Sequence, residues 1–205
     1  MNFKPPALPA LDAARLWGWM PVRTLGDHHR VRVAEHLLAL DAADRTLRFG
    51  HLASDERIRQ YAAQLDFSRD EVFGIFDRGL RLVGMAHLAF DAGRDTAEFG
   101  VSVFPRQRGR GLGMRLFEHA VTHARNRGVR KMLIHLARDN APMLRIVQRA
   151  GALVHFQGHD VLAELPLPED TLGSQLQELL GHQASLVDYR IKLNGLRLAI
   201  SRPRA

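Results

Sequence analysis

Residues 96–152 read TAEFGVSVFPRQRGRGLGMRLFEHAVTHARNRGVRKMLIHLARDNAPMLRIVQRAGA, and the order of patterns within them decides the fold. Thr96 to Phe104 has strand character and stops at Pro105. A glycine-rich segment, Arg108-Gly109-Arg110-Gly111-Leu112-Gly113, follows at once. Leu112, Leu116, Phe117, Ala120, Val121 and Ala124 then keep the three-to-four spacing of one buried helical face, and Gly128 ends that helix. Arg130 to Leu136 is short and apolar enough for a buried strand. Because a helix precedes it, it is expected to run parallel to Thr96–Phe104. Asp139-Asn140 opens a further helix with Pro142 in its first turn, where a missing N–H costs nothing, and Gly151 closes it.

A glycine-rich turn between strand and helix aims successive backbone N–H groups and the positive end of a helix dipole at one point, which suits a diphosphate. Gly109, Gly111 and Gly113 let a phosphate approach without a Cβ in the way, and Arg106, Arg108 and Arg110 add charge around it. Such turns also serve as plain chain reversals. Two familiar nucleotide patterns fit poorly. A P-loop needs Gly-Lys-Ser or Gly-Lys-Thr where this chain has Gly113-Met114-Arg115. A dinucleotide fingerprint needs its third glycine where Met114 stands, and no acidic residue caps a second strand about twenty positions on.

Working outward, Glu71 to Phe76, Leu80 to Phe90 and Thr96 to Phe104 read as an antiparallel meander. Its hairpin signals are Asp77-Arg78-Gly79 and Asp91-Ala92-Gly93-Arg94-Asp95. Before it, Trp19 to Leu25 is extended, and Gly26-Asp27 opens a helix through Val31, Val33, Leu37, Leu38 and Leu40. Ser54-Asp55-Glu56 caps another helix that carries Ile58, Tyr61, Ala62 and Leu65. After Gly151, two strands are expected at Ala152 to Phe156 and Val161 to Leu165. Three regions follow: a proline- and alanine-rich arm over 1–16, one domain over 17–167, and a helical extension over 168–205. The extension's leucines suggest packing on the domain or a homodimer contact.

Thr96–Ala152 resembles the central half of N-acetyltransferases of the GNAT superfamily. Arg108-x-x-Gly111-x-Gly113 is similar to that family's Gln/Arg-x-x-Gly-x-Gly/Ala signature, and the placement of Pro105, Asn140 and Gly151 agrees with it. A second stretch, Leu47 to Phe76, is similar to a region ahead of the core in bacterial protein-lysine acetyltransferases, through Arg48-Phe49 and Asp66-Phe67-Ser68-Arg69. The resemblance implies an α/β (α+β) fold of GNAT type. Such a fold has a mixed central sheet with an antiparallel N-terminal meander, a splayed parallel strand pair at the cofactor cleft, and flanking helices.

The resemblance also implies acetyl-CoA as acyl donor, lying in the gap of the splayed pair. The backbone of Val101, Ser102 and Val103 would pair with its pantetheine arm. Arg108, Gly109, Arg110, Gly111, Leu112 and Gly113 would hold its diphosphate, and Asn140 would sit near the arm while also reading as an ordinary helix cap. Glu98, seven residues before Pro105, matches the position of the catalytic glutamate of many members. Its plain alternative is a solvent-facing residue paired with an arginine. A primary amine, on a small molecule or a protein lysine, would attack the thioester directly. With no cysteine, the chain can form no thioester-linked enzyme intermediate.

One departure stands out: the tyrosine that many relatives carry in the helix after the asparagine is Val147 here. That permits a second reading, an acyl-CoA-binding regulator with weak or no catalysis. His119 and His123 lie one helical turn apart, but without His-Glu-x-x-His or a third ligand they read as a pair on the shoulder of a surface helix, and no metal is expected. His87, within a strand, is a candidate for the acceptor pocket or for a core or edge position.

A net charge of +7 invites a nucleic-acid reading, but Lys4, Lys131 and Lys192 are the only lysines among 29 basic residues and the arginines are scattered. A nucleic-acid partner is therefore disfavoured. No run is long and apolar enough for a membrane span and the first twenty residues have no secretory core, so a cytoplasmic location is expected. If the segment after Pro168 serves assembly or stability, a chain truncated there should change oligomeric state in light scattering or melt lower. A truncated chain unaltered in both would show that the segment does neither.

Overall fold

In the computed structural model, which describes residues 20–167, apolar runs separated by Asp-x-Gly turns form an antiparallel meander. Its strands are β2 (Glu71–Phe76), β3 (Leu82–Phe90) and β4 (Thr96–Val103), and β1 (Val22–Leu25) pairs antiparallel with β2 after a chain segment that holds three helices. The sheet continues through β5 (Lys131–Ala137), β6 (Leu153–Gln157) and β7 (Asp160–Pro166) in the order β1-β2-β3-β4-β5-β7-β6. Among the described residues only β4 and β5 pair in parallel, because a helix carries the chain between them. The result is the expected mixed sheet.

Both hairpins of the meander form, with one difference from the expected turn chemistry. The left-handed residue is not the glycine but the residue after it, Leu80 and Arg94, each at φ 59°. In each loop an aspartate carbonyl, Asp77 or Asp91, accepts from the N–H three residues on, and the αL residue follows as the chain re-enters a strand. A non-glycine residue there stores about 1–3 kcal/mol of strain. Leu80 is nonetheless held, since its side chain is buried.

Among the described residues five helices flank the sheet: α1 (Arg30–Leu38), α2 (Ala42–Phe49), α3 (Asp55–Gln64), α4 (Leu112–Asn126) and α5 (Ala141–Arg149). A 3-10 turn at Asp27–His29 leads into α1. Ser54 caps α3 by accepting from the Arg57 N–H at 3.3 Å. Helix α2 went unpredicted by periodicity, although its caps are legible: Asp41 accepts from the Asp44 N–H at 2.8 Å, and Gly50 closes it at φ 75°.

Alternation along β4 sorts the two faces. Phe99 meets Phe117 of α4 edge-on at 5.5 Å, so the odd residues face α4. The hydroxyl of Ser102 lies 2.8 Å from His36 of α1, and Gly100 lies under Arg48 of α2, so the even residues face α1 and α2. The core holds Phe73, Phe99, Leu116, Met132 and Ile134 fully buried.

His119 and His123 are not on an exposed shoulder. Both rings pack on Phe73 of β2 with centroids 4.7 Å away, and His123 is buried. The expected arm over 1–16 and the extension over 168–205 lie outside the described residues.

His36 Nδ1 is 3.0 Å from the Leu82 carbonyl, which can only accept, so Nδ1 carries the proton and Nε2 accepts from Ser102. Burial, above all, lowers the pKa of His36 from 6.5 to about 4, and burial is likewise the main cause for His29 and His87, each also lowered to about 4. The unfolded chain thus binds more protons than the folded one between pH 6.5 and 4, and stability is lost as pH falls through that window. For His36 the shift amounts to about 3 kcal/mol. Thermal melts at pH 7 and pH 4.5 should show a falling Tm for the parent. The His36→Gln variant, melting lower at pH 7, should lose less on acidification. Equal losses would remove His36 as the source.

Candidate active site

The β4–β5 ladder runs only through Thr96–Lys131, Ala97–Met132 and Glu98–Leu133. Beyond it β4 continues beside β3, and β5 beside β7, so the two strands part. Which peptide groups face the gap follows from two bonds, Asp91 N–H to Thr96 O at 3.0 Å and Phe104 N–H to Val83 O at 3.0 Å. They turn the even-numbered residues' N–H and C=O groups toward β3 and the odd-numbered ones toward β5, so that past the last ladder pair those of Val101 and Val103 face the gap. Val103 O already accepts from Arg108 Nε at 3.1 Å. Of the three residues expected at the pantetheine arm, Val101 therefore presents its peptide groups, while Ser102 turns its own toward β3.

The glycine-rich turn closes one end of this gap. Gly109 and Gly111 take φ of 71° and 75°, a region where a side chain is strained, and a Cβ on either would stand in open space. The first bond of α4 runs from Arg115 N–H to Gly111 O at 3.0 Å, so the N–H groups of Leu112, Gly113 and Met114 have no acceptor within their own helix. They converge with the helix dipole at the mouth of the turn. Arg108 reaches back to the buried carboxylate of Asp44 and so ties the turn to α2. Arg110 donates to Gln107. The backbone, more than these two side chains, makes the cradle.

Turn and gap open into one cavity of about 540 Å³, walled by Val101, Gly111, Met143 and Ile146 and by Asp44 and Arg48 of α2. Its size is ordinary for a cofactor site. Asn140 lies on its rim and caps α5, accepting from Met143 N–H at 3.2 Å, so both of its expected roles are geometrically open. Val147 is fully buried and does not line the cavity. Glu98 is exposed on the even face, beside Ala89 and Leu133 and two residues before Gly100.

Sequence reasoning missed Asp44 and Arg48, because both ride on the unforeseen α2. Arg48 heads a chain of polar contacts: its Nη2 donates to Tyr61 Oη at 2.8 Å, Tyr61 Oη lies 2.7 Å from His87 Nδ1, and His87 Nε2 lies 3.2 Å from Asp70 Oδ2. Burial pushes the Asp70 carboxyl up, but hydrogen bonds from Arg69 and His87 outweigh it and hold the group below its ordinary value. Asp70 is thus an acceptor and His87, kept neutral by burial and by the Arg48 charge, donates from Nε2. Tyr61 must then donate to Nδ1 and accept from Arg48, which fixes every proton in the chain. Among the described residues no group of three His, Cys, Asp or Glu could hold a metal, and no helix is long and apolar enough to cross a membrane.

Residues 35–152 match the model of the Acetyltransferase (GNAT) family. No curated protein matches the chain. Among solved structures, the chain is similar to the GNAT domain of S. lividans PAT, with 21% identity over 71% of this chain and 89% of that one at a TM-score of 0.60. It is also similar to a GNAT-family acetyltransferase from Streptococcus pneumoniae, with 16% identity over 73% and 100% at 0.59. A putative acetyltransferase, yncA, from Salmonella typhimurium with its cofactor acetyl-CoA shares 21% over 75% and 97% at 0.56. At these identities the likeness shows the fold.

Gly111→Asn tests the cradle, because asparagine tolerates the left-handed region yet adds a side chain at the cavity wall. We expect acetyl-CoA affinity to fall about 10-fold or more by calorimetry, the scale of a lost charge-assisted hydrogen bond, with little change in Tm. Unchanged affinity in the folded variant would sink the assignment.

Proposed function

This chain belongs to the GNAT acetyltransferase family, and we propose that it transfers an acetyl group from acetyl-CoA directly to a primary amine. The observation that carries this reading is the parting of β4 from β5 after three ladder pairs, beside the free N–H groups that open α4. An elongated ligand with an amide-bearing arm and a diphosphate fits that pair of features. Val101 would pair with the arm, Gly109 to Gly113 would hold the diphosphate, and Arg108 and Asn140 would support the walls. The bound donor supplies an acyl thioester open to attack by an amine.

Glu98 stands on β4 three residues before Val101, at the end of the ladder where the gap begins. An attacking amine must be neutral, and a carboxylate exposed to water suits a base that draws the ammonium proton off through a water molecule. The acetyl group passes from sulfur to nitrogen while two protons leave that nitrogen, the ammonium proton toward Glu98 before attack and the second as the amide forms, and the departing thiolate takes up one. Val147 offers no phenol for that last step, and the Tyr61 proton is directed at His87. Water is left to carry the nitrogen's second proton to the sulfur. A chain that bound acetyl-CoA and released no thiol with any amine would instead be a binding protein.

Glu98→Gln keeps the shape of the site and removes the charge. Turnover on an acceptor found by screening should fall by about 100- to 10,000-fold with acetyl-CoA affinity unchanged. Raising the pH should restore part of the rate, as more acceptor amine is then neutral. A variant as active as the parent at neutral pH would remove Glu98 from the mechanism.

A further inference from the structure

Arg48 stands on the cavity wall with no carboxylate of the described residues to account for its charge. Its guanidinium sits directly on Gly100, where a Cβ would come within 2.5 Å of Nη1 and 2.7 Å of Cζ, so the missing side chain is what admits it to that spot. Phe49 and Tyr61 flank it, with ring centroids 5.1 and 5.5 Å from Cζ. Tyr61, His87 and Asp70 hold it from behind through the proton-ordered chain described above. Yet among the described residues no carboxylate lies within ion-pair distance of it, and its Nε is buried with no hydrogen-bond partner. A guanidinium enclosed by aromatic rings and short of an acceptor is costly unless an anion completes it.

Position tells which anion. The glycine-rich turn lies past Val103, three residues or about 10 Å along β4 from Gly100, which sets Arg48 apart from the end of the cavity that the turn closes. Arg48 therefore marks the reacting end of the cleft. Glu98 points from the same face of β4, two residues away, a spacing of about 6.5–7 Å along a strand. The two side chains form no ion pair with each other although their charges are opposite. A carboxylate and a guanidinium so placed are complementary to one small molecule that carries an ammonium and a carboxylate a few atoms apart.

We propose that Arg48 binds the carboxylate of the acceptor while Glu98 faces its amine, so that the acceptor is a free amino acid or a similar small amino-carboxylate. This rests on the reading of the cleft given above. Arg48 acts by binding and Tyr61 by positioning it, since the fork of the guanidinium matches a carboxylate only when its orientation is fixed.

The test uses the full chain, acetyl-CoA, the common L-amino acids and their α-carboxamides, with thiol release as the readout. For the preferred side chain the parent should favour the acid over the amide by about 10- to 100-fold in kcat/KM, the range for one charge-assisted contact. Arg48→Gln should bring that ratio close to 1, mainly through KM of the acid, and Arg48→Lys should keep part of it. A parent indifferent to the carboxylate, or an Arg48→Gln variant that slows acid and amide by the same factor, overturns the proposal. Succinyl-CoA in place of acetyl-CoA separates the other source of a carboxylate: if Arg48→Gln selectively impairs succinyl transfer whatever the acceptor, the site reads the acyl chain. If the parent releases no thiol at all, the acetyltransferase reading fails on its own. Calorimetry of the same amino acids with the CoA-loaded chain then decides the binding claim, which is upheld by acid binding that Arg48→Gln abolishes and overturned by none.

Discussion

The structure turns on a backbone constraint: two parallel strands in the middle of a sheet pair for three residues and then separate. Peptide groups exposed by such a separation must find partners, because a buried N–H or C=O left unmade costs as much as a lost hydrogen bond. Everything near the gap addresses that requirement. Arg108 takes the Val103 carbonyl, His36 and Ser102 pin the same strand from the α1 side, and Asp44 holds Arg108 in place. The Val101 groups face the gap past the last ladder pair.

These supports share a second trait, in that charge is placed by neutral or oppositely charged neighbours inside the fold. His36 and His87 stay neutral because burial disfavours their charged forms, and each neutral ring then has one donor and one acceptor with a fixed direction. Arg108 is spent on structure, whereas Arg48 keeps its charge for the cleft. Two arginines on one wall thus have opposite duties, and the sequence pattern alone gives no way to tell them apart.

Strong local signals made much of the fold legible. Strand–Gly-turn–helix order, the helical spacing of Leu112 to Ala124 and the Asn140 and Gly151 boundaries all correspond to elements within a residue or two. Legibility failed where contacts are made at long range. Helix α2 is only eight residues long and half polar, and its Asp41 and Gly50 caps are what announce it. Arg48 and Asp44 were hidden with it, and the direction of the Ser102 backbone depends on register with β3 rather than on residue type. His119 and His123 looked like surface residues because histidine carries no apolar signal, although their rings lie on Phe73.

The order β4-β5-β7-β6 has a consequence for how the chain comes apart. Strands β5, β6 and β7 with α5 form one neighbourhood, β1 to β4 with α1 to α4 another, and the sheet crosses between them on three ladder pairs. One continuous core spans both neighbourhoods, yet the backbone ladder between them is short, and that makes the gap the place where hydrogen bonding holds the sheet least. A molecule lying in the gap and gripping both sides works as a staple between them, so its binding energy adds to the cohesion of the entire sheet and is not confined to the site.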